Sequence, residues 1–438
     1  MMKKLEAILL TSVVVLLIAV SSRAQSPIAS PAPPLVRPRV VGAPIATPTP
    51  AAAPRPTIIA PSPTPMVVSP ATQTGAYPPP VAESPIVVPF LPPIAALPNP
   101  VAHPLPPTKI EARTEEALRL MRSRPLQTAM ISPAAYSVRL AAFDTESSLI
   151  HTVTLPKEIF LRLGTDATLT TSLGTRVRLR IVRANYVNTA VTINDATGRQ
   201  FIPLVVEYPI EKFGRFSEMA YYTSVHPALV SPELVRSGQT YVRTMLDLAA
   251  KRLRDKGVVI SPQLMDVAER LCIVEHVDHD RFRRENRLAI YEEVFSLYAL
   301  NKLDTYRYSV SSAGAGGMVQ MIAPTYQMVR RRHPGAGLNP DFVAGMRNHG
   351  NALEAMLLYM QDTWNDLLVN PDVTYALDAK LATPAELLSA GYNSNPAKLG
   401  GYIRRGGAAW RTFIPRETQI YLEIYRSLDS LVPMKTRA

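Results

Sequence analysis

Residues 311–326 read SSAGAGGMVQMIAPTY, with Gly314, Gly316 and Gly317 crowded together. Each glycine costs backbone entropy and removes a side chain that could pack, so such a group does not belong inside a helix or a strand. The backbone here must come close to something else. An apolar run holding one polar residue, Gln320, follows and stops at Ala323-Pro324-Thr325. The pattern places the stretch between two helices, and Gly-Met-Val-Gln starts the second, over 318–332.

Outward from this point the apolar residues keep a helical period. The spacing predicts helices over 231–256, 262–277, 286–301, 318–332, 351–368, 384–392 and 416–430. Ser261-Pro262 and Thr383-Pro384 each put a capping side chain before a proline at the first helical position. Upstream, a short helical piece spans Thr114 to Arg122, and the pattern then changes to period two. SVRLAAFD, TRVRLRIVRANYV, TAVTIND and RQFIPLVVEYPI alternate or run apolar between turn residues, which predicts a small antiparallel β domain over 136–215. It holds no catalytic constellation, which leaves support or the binding of envelope proteins.

From Ser26 to Pro107 the chain is dominated by Pro, Ala, Val, Thr and Ser. Proline fixes φ and removes backbone donors, so this segment is expected to be a disordered, extended tether. Before it, Met1-Met2-Lys3-Lys4, an apolar run from Ala7 to Val20 and the small residues around Ala24 read as a secretory signal peptide. The run is short for a membrane span, so membrane contact is expected only if this segment stays uncleaved. The expected organisation is multidomain: signal peptide 1–24, proline-rich spacer 25–108, all-β accessory domain 109–230 and mostly helical domain 231–438.

A net charge of +12 suggests an anionic partner, such as a cell wall or acidic lipid, and export disfavours nucleic acid. Cys272 is the only cysteine, so no intramolecular disulfide can form. It reads as a core residue, because no His partner is placed beside it by motif. His276, Asp278, His279 and Asp280 cluster in EHVDHD, but no further group at ligand spacing follows, and neither a metal nor another cofactor is called for.

Three distinct blocks follow one another in order. The Gly-rich stretch comes first. LLSAGYNSNPAKLGGYI then ends a helix with Tyr392-Asn393, and WRTFIPRETQIYLEIY starts one after Pro415, with Glu417, Thr418 and Tyr421 in its first turns. Together they resemble the Ser-x-x-Gly-Ala-x-Gly-Leu-Met-Gln, Ala-Tyr-Asn-Ala-Gly and Pro-Glu-Thr-x-x-Tyr blocks of lytic transglycosylases with a goose-type lysozyme-like fold. The likeness covers roughly 262–430. Met318-Val319 replaces Leu-Met, Gly391 replaces an alanine, and Ser394-Asn395 replaces Ala-Gly.

The family's acid stands twelve residues before the first glycine, and that count from Gly314 lands on Lys302. A lysine cannot replace a neutral carboxylic acid as proton donor. The helix over 262–277 offers another place. Leu264, Ala268, Leu271 and Glu275 fall on one stripe, and a carboxyl on an apolar face is held protonated. Glu275 is therefore the candidate acid, with Glu292 in reserve and residues 283–307 read as an insertion.

The resemblance implies an exported murein lytic transglycosylase, periplasmic or secreted. A single glutamate would cleave the MurNAc–GlcNAc β-1,4 bond of peptidoglycan strands with closure of a 1,6-anhydro ring. Ser311, Gly314, Gly317, Met318, Gln320, Tyr392 and Asn393 would line the sugar cleft. Glu417, Thr418 and Tyr421 read as structural. The alternatives are a lysozyme-type hydrolase and a scaffold that binds peptidoglycan without cutting it.

Overall fold

The structure, a computed structural model, describes residues 105–123, 137–212, 215–303, 305, 308 and 314–438. The signal peptide, all but the last residues of the spacer, and Ser311 lie outside the described residues. The fold is mixed α+β.

The chain enters through α1 (Pro107–Arg122), longer at its start than the expected piece from Thr114. Then follow β1 (Ser137–Asp144), β2 (Ile150–Pro156), α2 (Lys157–Phe160), β3 (Asp166–Thr170), β4 (Arg176–Arg183), β5 (Ala190–Asp195), β6 (Phe201–Lys212) and β7 (Arg215–Thr223). They form two antiparallel sheets, ordered β2-β1-β6-β7 and β3-β4-β5. Alternation along β4 puts Val177, Leu179 and Ile181 inside and Arg176, Arg178 and Arg180 in solvent, as a sheet with one wet face requires. The strand region runs to Thr223 rather than 215, because β7 pairs along most of β6. α1 packs on β1 and β6, and Arg139 of β1 donates to the Met121 carbonyl at 2.8 Å and to Glu207 at 2.6 Å.

The helical part holds α3 (Pro232–Asp255), α4 (Pro262–Val274), α5 (His279–Arg284), α6 (Arg287–Leu300), α7 (Ala323–Arg332), α8 (Phe342–Arg347) and α9 (His349–Leu368). It continues with α10 (Pro371–Asp378), α11 (Pro384–Asn393), α12 (Leu399–Gly406) and α13 (Arg416–Leu431). Ser261 caps α4, and Thr383 with Glu386 forms a full capping box on α11. α9 buries residues around its whole circumference and runs through the core beside α3, α4, α7 and α11. Close crossing of α3 and α6 needs Gly238, where a Cβ would sit 1.9 Å from the Phe295 carbonyl oxygen. Among the described residues no helix is long and apolar enough to cross a membrane.

One helix expected from the sequence starts late. Residues 318–322 are not helical, and α7 begins at Ala323 with Pro324 in its first turn. Gln320 has a left-handed φ of +46°, which breaks a right-handed helix, and the Met318 and Val319 carbonyls accept from side chains of other elements instead.

Candidate active site

Glu275 is the cap residue at the C-terminal end of α4, and its N–H donates to the Leu271 carbonyl at 3.0 Å. The stripe of Leu264, Ala268 and Leu271 is buried, and it carries Glu275 into the protein at its half-buried end. A helix C-terminus is the negative end of the macrodipole, a poor place for a carboxylate. Among the described residues no cation pairs with Glu275. Its one hydrogen bond there comes from the Tyr421 hydroxyl of α13, which donates to Oε1 at 2.7 Å.

Burial pushes the Glu275 carboxyl up to about 8, the charge of Glu417 pushes the same way, and the Tyr421 hydrogen bond opposes both. The neighbouring His276 is driven down to about 4 by burial, so the ring is neutral at pH 7. Its Nε2–H then donates to the Met318 carbonyl at 3.0 Å.

That carbonyl belongs to the Gly-rich turn. Gly316 and Met321 pair across it, with the Gly316 N–H donating to the Met321 oxygen at 3.3 Å. Gly314 and Gly317 have φ of +73° and +69°, and Gln320, a non-glycine, is held at +46°. At Gly317 a Cβ would lie 2.2 Å from the Met346 carbonyl oxygen, so the close approach demanded by the sequence is to α8. Three elements fasten the turn. His276 follows α4, Tyr298 of α6 donates to the Met318 carbonyl at 3.1 Å, and Tyr392 of α11 donates to the Val319 carbonyl at 2.7 Å. The single Tyr298 proton is shared between the Met318 carbonyl and that of Cys272, whose thiol is buried and pushed up by that burial. Backbone strain at Gln320 is therefore sustained by bonds that converge on the acid-bearing helix end.

The expected cleft residues separate into groups. Gly317, Gln320 and Tyr392 are brought together, and Gln320 folds back to donate to the Gly317 carbonyl at 2.8 Å. Met318 is fully buried, so its side chain belongs to the core and its carbonyl to the turn. Asn393 accepts from Thr418 at 2.8 Å, which joins the end of α11 to the start of α13. The residue that holds the acid is Tyr421, which the sequence reading gave to structure. Its signal was present in the third block, at helical spacing from Glu417. Glu292 lies half-buried on α6 and makes no hydrogen bond or ion pair among the described residues, while Glu293 beside it is clamped by Arg281 at 2.8 Å. Lys302 is exposed and pairs with Glu111 of α1 at 3.0 Å. It stands outside the group around Glu275.

The arrangement supplies a neutral carboxylic acid at pH 7, a strained turn beside it and tyrosines around both. Such an acid can give a proton to a leaving oxygen and accept one afterwards. Compared with protein-family models, curated proteins and solved structures, the chain matches none.

Proposed function

We propose that the protein is an exported murein lytic transglycosylase whose lysozyme-like helical domain uses Glu275 as its single acid and base. The observation that carries this reading is the Glu275 carboxyl, held by Tyr421 at 2.7 Å and raised to about 8 by burial. In the first step the Glu275 proton passes to the oxygen linking MurNAc C1 to GlcNAc O4, and the C1–O bond breaks. The carboxylate then takes the proton of the muramoyl 6-hydroxyl while O6 bonds to C1. Both protons are accounted for and no water is consumed. The Gly-rich turn presents its backbone to the sugars, Gln320 and Tyr392 line the cleft, and the β domain supports it.

A lysozyme-type hydrolase is the second reading, and Glu417 favours it. That exposed residue starts α13, and its charge is felt by Glu275. Two carboxylates are what ordinary glycoside hydrolysis uses. Mass analysis of the soluble products from purified peptidoglycan decides between these readings. Wild type is expected to release 1,6-anhydro muropeptides and Glu275→Gln none. Reducing-end products select the hydrolase, and retained binding without any product selects the non-catalytic scaffold.

A further inference from the structure

A cavity of about 430 Å³ lies between α5 and the first turns of α13, lined by Arg283, Arg416, Gln419, Ile420 and Glu423. Positions 416, 419, 420 and 423 follow helical spacing, so they share one face of α13, and Arg283 faces them from α5. The charges are poorly spent inside the protein. Arg416 and Glu423 are exposed and make no hydrogen bond or ion pair among the described residues. Arg283 has one long exposed pair, 3.6 Å to Asp280. Arg416 and Glu423 do not pair with each other, and seven residues set their backbones about 10 Å apart along the helix.

Between these ends Ile420 is an apolar floor, 8% exposed. The Gln419 amide donates to the Ile414 carbonyl at 2.9 Å, which leaves its oxygen as an acceptor. A notch with guanidinium at one end and carboxylate at the other does not suit a simple anion, which Glu423 repels. It suits a short chain carrying a carboxylate and an ammonium, with aliphatic carbons across the floor. The residues that act on Glu275 come from the same two turns of α13, on the adjoining face of the helix. Glu417, next to Arg416, acts on Glu275 by its charge, and Tyr421, next to Ile420, holds Glu275 by its hydroxyl.

We propose that this notch binds the free zwitterionic end of a wall peptide, so that the cleft takes strands by their uncrosslinked stems as well as by their sugars. The proposal rests on the transglycosylase reading for the identity of the peptide. Arg416 and Arg283 take the carboxylate, and Glu423 with the Gln419 oxygen takes the ammonium.

Titration calorimetry of the full chain tests it without turnover. The probes are N-acetylmuramoyl tripeptide ending in a diamino acid and N-acetylmuramoyl dipeptide lacking that residue. Wild type is expected to bind the tripeptide about ten-fold more tightly, the order given by two exposed charge pairs. Arg416→Ala and Glu423→Ala, checked by thermal unfolding for a native fold, should each remove the preference, and Arg416→Lys should restore part of it. Equal binding of the two probes by wild type overturns the proposal, as does a preference that survives in both alanine variants. A protein that shows the preference but cuts no peptidoglycan leaves this site standing and removes the transglycosylase reading. One that cuts without preference does the reverse.

Discussion

Two glutamates of the helical part sit at opposite ends of their helices and in opposite electrical settings. Glu386 is in the first turn of α11, where its carboxylate accepts from the Thr383 N–H at 3.0 Å and from Arg411 at 2.8 and 2.6 Å. The dipole, the cap and the guanidinium all favour the charged form, and the Glu386 pKa falls although burial works against it. Glu275 ends α4, has a phenol and, among the described residues, no cation, and is raised to about 8. The same side chain is thus a stapled anion in one place and a proton store in the other. Burial without a charged partner raises Glu275, and the cap and one arginine lower Glu386.

The strongest way to break this comparison is to remove the proton store. Glu275→Gln keeps the shape and the Tyr421 contact but cannot give up a proton. Cleavage is expected to fall by about 10²–10⁴-fold, the usual contribution of a general acid. Substrate binding, read by pull-down on insoluble peptidoglycan, should persist. If Glu275→Gln retains full activity and Glu292→Gln is dead, the acid has been assigned to the wrong residue.

Next in size is the turn that faces the acid. Gly317→Ala introduces a Cβ 2.2 Å from the Met346 carbonyl oxygen at a φ of +69°. Overpacking and strain together predict a loss of about 2–4 kcal/mol by denaturant unfolding. Gly314→Ala has a similar positive φ but open space around it, so its loss should be the smaller of the two.

How much of this was readable in the residues depended on distance along the chain. Ser261-Pro262 and the stripe Leu264–Leu271 fixed α4 and pointed Glu275 inward, because a helical face is a local property. The Gly-rich turn departs from its sequence pattern in its second half. Met318-Val319-Gln320-Met321 has the composition of a helix start, but Gln320 is held in a left-handed conformation while His276, Tyr298 and Tyr392 bond the two carbonyls before it. Short elements such as α5, α8, α10 and α12 carry too few turns for periodicity to register, and β2, β3 and β7 are brief or polar. The pairing of Lys302 with Glu111 spans 191 residues, and no local pattern announces it. Tyr421 itself stood in view in the third block, but its partner lies 146 residues earlier, so its bond to Glu275 was not.

The stapled anion gives a smaller, complementary effect. Glu386→Ala removes the capping-box partner and both Arg411 bonds, and thermal unfolding at neutral pH should show a loss of about 1–2 kcal/mol. The sign with pH separates the two residues. The Glu386 pKa is lowered on folding, so its stabilisation is present above the unfolded carboxylate value and is lost as pH falls. The gap between wild type and Glu386→Ala should therefore close in acid. Glu275 is raised, so the folded state is favoured most when the group is protonated, and that advantage fades as pH climbs from the ordinary value of 4.5 to about 8. Glu275→Gln should flatten the stability curve between about pH 4.5 and 8 and leave it unchanged below and above that window.

The smallest effects are shifts in the pH profile of cleavage, and they test the cause of the raised value rather than its existence. Activity that needs protonated Glu275 falls as pH rises through about 8. The Tyr421 hydroxyl stabilises the carboxylate, so Tyr421→Phe should move that limb to higher pH even as it loosens the side chain. Glu417 repels the carboxylate, so Glu417→Gln should move the limb to lower pH, by less, because Glu417 is exposed and solvent screens it. Opposite movements in the two variants, read from kcat/KM against pH, would tie the limb to Glu275. Movement in the same direction would mean that another group sets it, and then the contrast with Glu386 would hold for stability alone. The Glu417 variant also separates the two chemistries. A hydrolase that uses Glu417 as base loses turnover by orders of magnitude on this substitution, whereas a one-carboxylate transglycosylase keeps it and shifts only the profile.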